Sequence, residues 1–423
     1  MNIGLILLLA AGYIFYALLD PYSLPILIAC SLITYAGGRL IYSAAAKEKK
    51  KAKIITLAFI GIQTGILCFF KYTSFYHLPV GMSFYMLMAI SYLADVYRGE
   101  FETLPSLAET LVYVSFFPTV ISGPIMKAKE LIPQFSSRKK LTGERLSGGL
   151  WLIVIGAFMK LVMADRLCVS VDSVYSAPLV YSGLTLFFTS IAYTLQLFFD
   201  FAGYSYMAIG VASIIGFDIT KNFNLPYMAT NPSEFWRRWH ISLSSWLKDY
   251  VYIPLGGSRK GKARTYVNIL LVMIVSGLWH GSTVNFLIWG VLHGIGQMVW
   301  RALRGNKKDA PGPVRIFSMI LNFLFVNFLW IPFRVSTPND AWLIIKRIFT
   351  LSPGSSYYYT YTFIFGAVLL IVQFIGARKN GGNDPIHPLP LDRMYGRVIF
   401  LTLVIATAMF AYFGSGAFIY AQF

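Results

Sequence analysis

The sequence predicts an all-α polytopic membrane protein, and three observations lead there. Of 423 residues, 57% are hydrophobic and only 13% are charged, whereas a soluble domain carries roughly 25% charged residues. The apolar residues are blocked into long runs, among them NIGLILLLAAGYIFYALL (2–19), LVYVSFFPTVISGPI (111–125), LWLIVIGAFMKLVMA (150–164), FLIWGVLHGIGQMVW (286–300), FIFGAVLLIVQFIGA (363–377) and RVIFLTLVIATAMFAYFGSGAFIYA (397–421). About 20 such residues cross a hydrocarbon core of roughly 30 Å, and the chain holds roughly ten or eleven candidate spans. Basic residues gather in the short segments between runs: KEKKKAK (47–53), SRKK (137–140), SRKGKAR (258–264) and RALRGNKK (301–308). That distribution is the positive-inside pattern. The net charge of +18 therefore marks cytoplasmic loops rather than a nucleic-acid surface, and the partner it implies is the lipid bilayer.

Taken in order, the first run has no basic flank and no small-residue cleavage site, so it reads as a retained span. The N-terminus is expected in the cytoplasm, with an outer turn near Asp20-Pro21. Cys30, Cys68 and Cys168 lie singly in apolar segments, which argues against a disulfide framework and against a cysteine metal site. No fixed-period repeat or long linker divides the chain, so a single domain over 1–423 is expected. From Lys221 to Arg264 the sequence is too polar to span and too aromatic for a solvated loop. Backbone at membrane depth must be helical or buried in protein, so 221–264 is expected as a cytoplasmic interfacial or re-entrant segment. Its helix starts at Asn231 as cap, with Pro232 in the first turn and Glu234 three residues after the cap, as in a capping box. Trp236, His240, Leu243 and Leu247 follow on one face, with Phe235, Trp239, Ser242 and Trp246 beside them. Arg237, Ser244 and Lys248 fall on the opposite side. Pro254, Gly256 and Gly257 then interrupt the chain.

The next apolar run, Val267 to Trp279, has 13 residues, about 20 Å at 1.5 Å per residue and short of a crossing. With both flanking basic segments cytoplasmic, 265–303 forms a hairpin carrying His280 near its tip, between Gly277, Gly281 and the following run. An intramembrane ionisable residue is a functional-site hypothesis by default. Of the five histidines, His77 and His387 lie beside prolines in connecting segments, and His293 lies on the second hairpin arm in a packing position. Three roles stand open for His280 and His240: a hydrogen-bonded core side chain, a metal ligand, or a base. Zinc takes three or four protein ligands at recognisable spacing; neither HExxH nor a cysteine pair occurs, and no metal is expected. No GxSxG elbow is present, and GSRKGK (257–262) lacks the spacing of a P-loop. Burial lowers a histidine pKa, which keeps the ring neutral and able to take a proton from an attacking hydroxyl. The core-histidine reading stays open beside that one.

FWRRWHISLSSWLKDYVYIPLGG (235–257) followed by SGLWHG (276–281) closely resembles the membrane-bound O-acyltransferase family. So do FFDFAGYS (198–205), NFNLPYMATNPSEF (222–235), WGVLHG (289–294), PVGMSFYMLMAISYLADVYRGE (79–100) and FFPTVISGPIMKAKELIPQF (116–135). The resemblance makes 79–300 the motif-bearing core. GPIMKAKELIPQF and LGGSRKGKARTYVN look like the bacterial branch that O-acetylates alginate and other exopolysaccharides, although that branch usually has one more span before the segment matching AGYIFYALLD. It implies a ring of helices around a thinned centre, with a tunnel joining a cytoplasmic donor to an external acceptor. It also implies that His280 is the catalytic histidine, with His240 nearer the donor entrance.

The activity so implied is transfer of an acyl group, acetyl from acetyl-CoA, out of a cytoplasmic thioester, with no bound cofactor. Its acceptor is a hydroxyl of an extracytoplasmic polysaccharide or of an accessory acetyltransferase, and its place is the bacterial cell membrane. Arg237, Arg238, Lys248 and the SRKGKAR segment are candidates for attracting the donor phosphates. Trp236, Trp239, Ser242, Ser244, Trp279, Asn285, Tyr250 and Tyr252 are candidates for the tunnel wall. Asp200 is a buried carboxylate expected to pair with an arginine, orient a histidine or join two helices. D-alanyl transfer from a carrier-protein thioester to lipoteichoic acid is the alternative, since that branch shares FFDFAGYS and the RWH core. A lipid-linked sugar transporter is disfavoured because no two related halves with paired broken helices are visible.

Overall fold

The computed structural model describes residues 3–73, 75–304, 312–379 and 391–413. His387 and residues 305–308 of the last basic segment lie outside them. Seventeen α-helices are found among the described residues, with no strand beyond one isolated bridge between Tyr181 and Ser355. They are α1 (Ile3–Leu19), α2 (Leu24–Ala45), α3 (Lys49–Tyr72), α4 (Met82–Arg98), α5 (Leu107–Val114), α6 (Ala128–Leu131), α7 (Gly143–Phe158), α8 (Asp165–Tyr175) and α9 (Gly183–Ile214). Then follow α10 (Pro232–Arg238), α11 (Ile241–Leu247), α12 (Gly261–His280), α13 (Val284–Arg304), α14 (Pro313–Arg334), α15 (Pro338–Phe349), α16 (Thr360–Lys379) and α17 (Met394–Phe410).

Among the described residues, five stretches are long and apolar enough to cross a membrane: Pro21–Ala45, Lys49–Tyr72, Gly143–Tyr175, Gly183–Ile214 and Pro313–Arg334. Three shorter apolar helices, Ile3–Leu19, Thr360–Ile375 and Met394–Phe410, accompany them. Leu57, Ile320 and Leu370 stand exposed on these helices, as side chains do where the surrounding solvent is lipid. The protein is thus a multi-pass α-helical membrane protein.

The chain packs as two compact units, one comprising residues up to Leu150 with Ala208–Thr220, the other Trp151–Met207 with the chain from Lys221 onward. In the first unit α4 is the core. Met82–Leu93 are all buried, and a helix apolar on every side belongs inside. The buried Tyr113 hydroxyl meets Ser91 Oγ at 2.7 Å and donates to the Met126 carbonyl at 2.8 Å. Gln63 on α3 donates to the Cys30 carbonyl and to Thr34 Oγ1 on α2, at 3.0 and 2.8 Å, the kind of side-chain bond that joins helices in lipid. The buried Asp20 accepts the Ser23 and Val80 N–H groups and lies 3.4 Å from His77 Nε2. The SRKK segment is held as well as charged: Lys139 pairs with Asp218, and Arg145 Nη1 donates to Asp218 Oδ1 at 2.9 Å.

In the second unit α12 and α13 form the expected hairpin, turning at 281–283. The first arm differs from the expectation. It begins at Gly261 and has 20 residues, about 30 Å of helix and long enough to cross. Lys262 and Arg264, read from the sequence as loop, lie in its first turns, since long basic side chains can run along a helix while their heads stay in water. Glycine allows the two arms to touch. A Cβ on Gly277 would strike the Phe286 carbonyl, and one on Gly290 the Met273 carbonyl.

Candidate active site

The segment bearing His240 begins as its sequence says. Asn231 Oδ1 accepts the Glu234 N–H at 2.8 Å. The reciprocal half of the box is shifted by one residue, because Glu234 Oε2 accepts from the N–H and hydroxyl of Thr230, both at 2.8 Å. Against the cost of burial, those bonds and the Arg238 guanidinium hold the Glu234 carboxyl below its usual range. The expected continuous helix is not found. It stops at Trp239, which is extended, and His240 adopts a left-handed backbone with φ 46° before α11 begins. A non-glycine residue there costs roughly 1–2 kcal/mol, so neighbours must impose it. Asn222 does so: its carbonyl accepts the Ile241 N–H at 2.9 Å and its Oδ1 accepts the Ser242 hydroxyl at 2.6 Å. Its amide in turn donates to Ser205 Oγ on α9 at 3.0 Å, and Asn224 N–H reaches the Arg238 carbonyl. Replacing Asn222 with alanine strips these side-chain bonds from a buried site. It should lower stability by about 1–3 kcal/mol, read as a lower midpoint of thermal unfolding in membranes. An unchanged midpoint would show that Asn222 does not hold the break.

The break turns the His240 ring inward, where it is 0% exposed and meets the Phe201 ring edge-on at 4.6 Å. His280, 2% exposed, is the last residue of α12. The two imidazoles lie 6.4 Å apart between centroids, with Trp279 at 6.0 and 4.9 Å from them. Trp289 and Phe333 enclose His280 at 5.0 and 5.2 Å. Beyond Trp289, at 4.8 Å, lies His293, buried like the others. Trp236 Nε1–H donates to His293 Nδ1 at 3.3 Å, which makes Nδ1 the acceptor and places the proton of the neutral ring on Nε2. Three imidazoles, one at the break before α11 and the others on α12 and α13, thus share one aromatic enclosure. Such a site supplies imidazole nitrogens away from bulk water, a setting that suits acyl transfer and disfavours hydrolysis.

The remaining expected residues divide. Trp236, Trp239 and Ser242 are buried around the histidines, and Ser244 donates weakly to the Trp239 carbonyl at 3.4 Å. Asn285 ties the hairpin to the end of α14 by donating to the Val335 carbonyl at 2.6 Å. Arg237 and Lys248 are exposed, whereas Arg238 is engaged by Glu234 at 2.9 Å and by the Asn224 carbonyl at 3.2 Å. Asp200 pairs with a lysine, not an arginine. Lys160 Nζ lies 2.6 Å from Asp200 Oδ1 and 2.8 Å from Asp165 Oδ1, all three buried. Lys160 sits in a π-helical turn, Met159–Ala164, a distortion often found at functional sites. Gly156 and Gly203 let α7 and α9 approach backbone to backbone beside it. The lone lysine in LWLIVIGAFMKLVMA is the sequence signal for this cluster.

Residues 70–337 match the family described as MBOAT, membrane-bound O-acyltransferase. The chain is 36% identical over 366 residues to a probable alginate O-acetylase of Azotobacter vinelandii, covering 82% of this chain and 72% of that protein. It is 33% identical over 389 residues to a peptidoglycan O-acetyltransferase of Helicobacter pylori, covering 82% and 73%. A teichoic acid D-alanyltransferase of Bacillus subtilis is more distant, 27% identical over 265 residues, covering 59% and 67%. The matched family region contains the whole histidine enclosure, from Phe201 to Phe333. The chain belongs to the membrane-bound O-acyltransferase family and is a multi-pass membrane O-acyltransferase.

Proposed function

We propose that this enzyme moves an acetyl group from cytoplasmic acetyl-CoA, through the membrane, to a hydroxyl on the outer side. The acceptor is an extracytoplasmic polysaccharide, or a partner protein that passes the group on to one, and the membrane is the bacterial plasma membrane. In this reading 1–423 is one catalytic domain with 79–300 as its core. Roughly ten or eleven spans ring a thinned centre, and a tunnel reaches His280 from both faces. The observation that supports it most is the pair of buried imidazoles, His240 and His280, 6.4 Å apart in an aromatic enclosure. The acceptor oxygen attacks the thioester carbonyl carbon while a ring nitrogen of His280 takes the hydroxyl proton. The tetrahedral intermediate then collapses, the C–S bond breaks, and His280 returns the proton to the departing thiolate. His240 orients the thioester carbonyl. The exposed Arg237, Lys248 and SRKGKAR cations attract the phosphates of the donor, while Arg238 supports the segment through Glu234.

Acetyl is favoured over D-alanyl because the two O-acetyl-transferring relatives match more of the chain and at higher identity than the D-alanyltransferase. The family leaves no place for the sugar-transporter reading. The donor is tested with purified enzyme in membranes, given radiolabelled acetyl-CoA in one reaction and a D-alanyl carrier-protein thioester in another. Consumption of acetyl-CoA is expected. Consumption of the carrier thioester alone would replace the acetyl reading with the D-alanyl one.

A further inference from the structure

The second unit holds a half-open cavity of about 180 Å³, with no charged side chain in its lining, which comprises Met159, Met163, Phe198, Leu369 and Val372 among other apolar side chains. One lining residue breaks the pattern. Gln373 on α16 is 2% exposed, and neither its amide nitrogen nor its amide oxygen has a hydrogen-bond partner. An unpaired amide in an apolar, membrane-embedded site carries an uncompensated desolvation penalty. Water is a poor remedy, because apolar cavities of about 150 Å³ stay dry and a trapped water needs two to four polar partners. The cavity also meets the lipid-facing surface: Val368 lines it and is itself 44% exposed, next to the exposed Leu370 and Ile371. Gln373 lies six residues before the end of α16 at Lys379, about 9 Å along the helix. An amphiphile can therefore bring a polar end to it from the bilayer.

The two bare atoms specify what that end must be. Nε2 needs an acceptor and Oε1 needs a donor, and a protonated carboxylic acid offers both on one carbon, closing a ring of two hydrogen bonds. We infer that the cavity binds a long-chain fatty acid, with its neutral carboxyl paired to the Gln373 amide and its chain lying against Met159, Met163 and Leu369. The site is independent of the acyl-transfer reading, and Gln373 takes no part in that chemistry.

The test is native mass spectrometry of the delipidated full-length protein in detergent, titrated with carbon-13 carboxyl-labelled palmitic acid. The carboxyl resonance is followed above the ordinary carboxylate range of pH. The wild type should bind one palmitic acid and hold its carboxyl protonated. Gln373→Leu should weaken binding at least about tenfold, the loss of two hydrogen bonds in an apolar site. That variant removes two unpaired polar atoms from the interior, so it should fold at least as well as wild type. Val372→Phe, which fills the cavity while leaving the amide, should block binding too. Binding untouched by both variants, no one-to-one complex in the wild type, or displacement of palmitic acid by a single diacyl phospholipid would each overturn the assignment.

Discussion

Replacing Lys160 with methionine should destabilise the protein by about 3–5 kcal/mol, the penalty typical of removing one partner from a buried ion pair. Methionine keeps the length and apolar stem of lysine, so packing changes little, but Asp165 and Asp200 then face each other without their shared cation. Mutual repulsion and desolvation of two carboxylates act together, on α8 and α9, beside the close approach of α7 to α9 at Gly156 and Gly203. The prediction has an internal control. Adding Asp165→Asn and Asp200→Asn to the Lys160→Met protein removes both charges and should recover most of the loss. Thermal unfolding in membranes, followed by tryptophan fluorescence, reads both steps. A Lys160→Met protein with a wild-type midpoint would mean that the carboxylates are held by other neighbours.

Replacing His280 with alanine should lower acyl transfer by about 10²–10⁴-fold, the range that a positioned general base contributes. The loss should fall on the rate of the chemical step and not on donor affinity, because His280 acts on the acceptor hydroxyl. His240→Ala is expected to lose less and to weaken donor use as well, since His240 orients the thioester carbonyl. Truncating His280 also opens a space between Trp279, Trp289 and Phe333, so the variant is compared with His280→Asn, which retains polarity and some volume but no basic nitrogen. Steady-state consumption of labelled thioester gives both parameters. Equal activity of His280→Asn and wild type would remove the base role and leave His280 as a packed core residue.

Much of the architecture was legible because the bilayer writes itself into composition. The runs at 2–19 and 150–164 fall in the apolar helix Ile3–Leu19 and the span Gly143–Tyr175, and the hairpin tip at 281–283 follows from run length and charge placement. The run at 111–125 makes no span: its helix ends at Val114 and the chain continues in buried turns past Pro118 and Pro124. Burial along 235–247 was legible too: Trp236, His240, Leu243 and Leu247 are all buried, as their spacing requires. The break at Trp239 and His240 was not. Neither residue is a glycine or proline, and the apolar period runs through the break undisturbed. Its cause lies in the Asn222 bonds to Ile241 and Ser242, which no local pattern encodes. The start of α12 was missed because hydropathy excludes Lys262 and Arg264 while helix geometry does not. The joining of Lys160 to Asp200, forty positions away, depends on the close glycine contact between α7 and α9. The enclosure around His280 likewise draws Trp289 from α13 and Phe333 from α14, which only tertiary packing unites.

The most direct test is vectorial. The enzyme is sealed into liposomes with its cytoplasmic face inward, radiolabelled acetyl-CoA is enclosed, and label appearing in the outer medium is counted for wild type and His280→Ala. Wild type should deliver acetyl label outward to an added acceptor, while His280→Ala delivers none above the protein-free leak and unfolds at the wild-type temperature. Outward label from His280→Ala at the wild-type rate, or wild-type label that remains wholly inside, would contradict transfer through the membrane by the histidine at the end of α12.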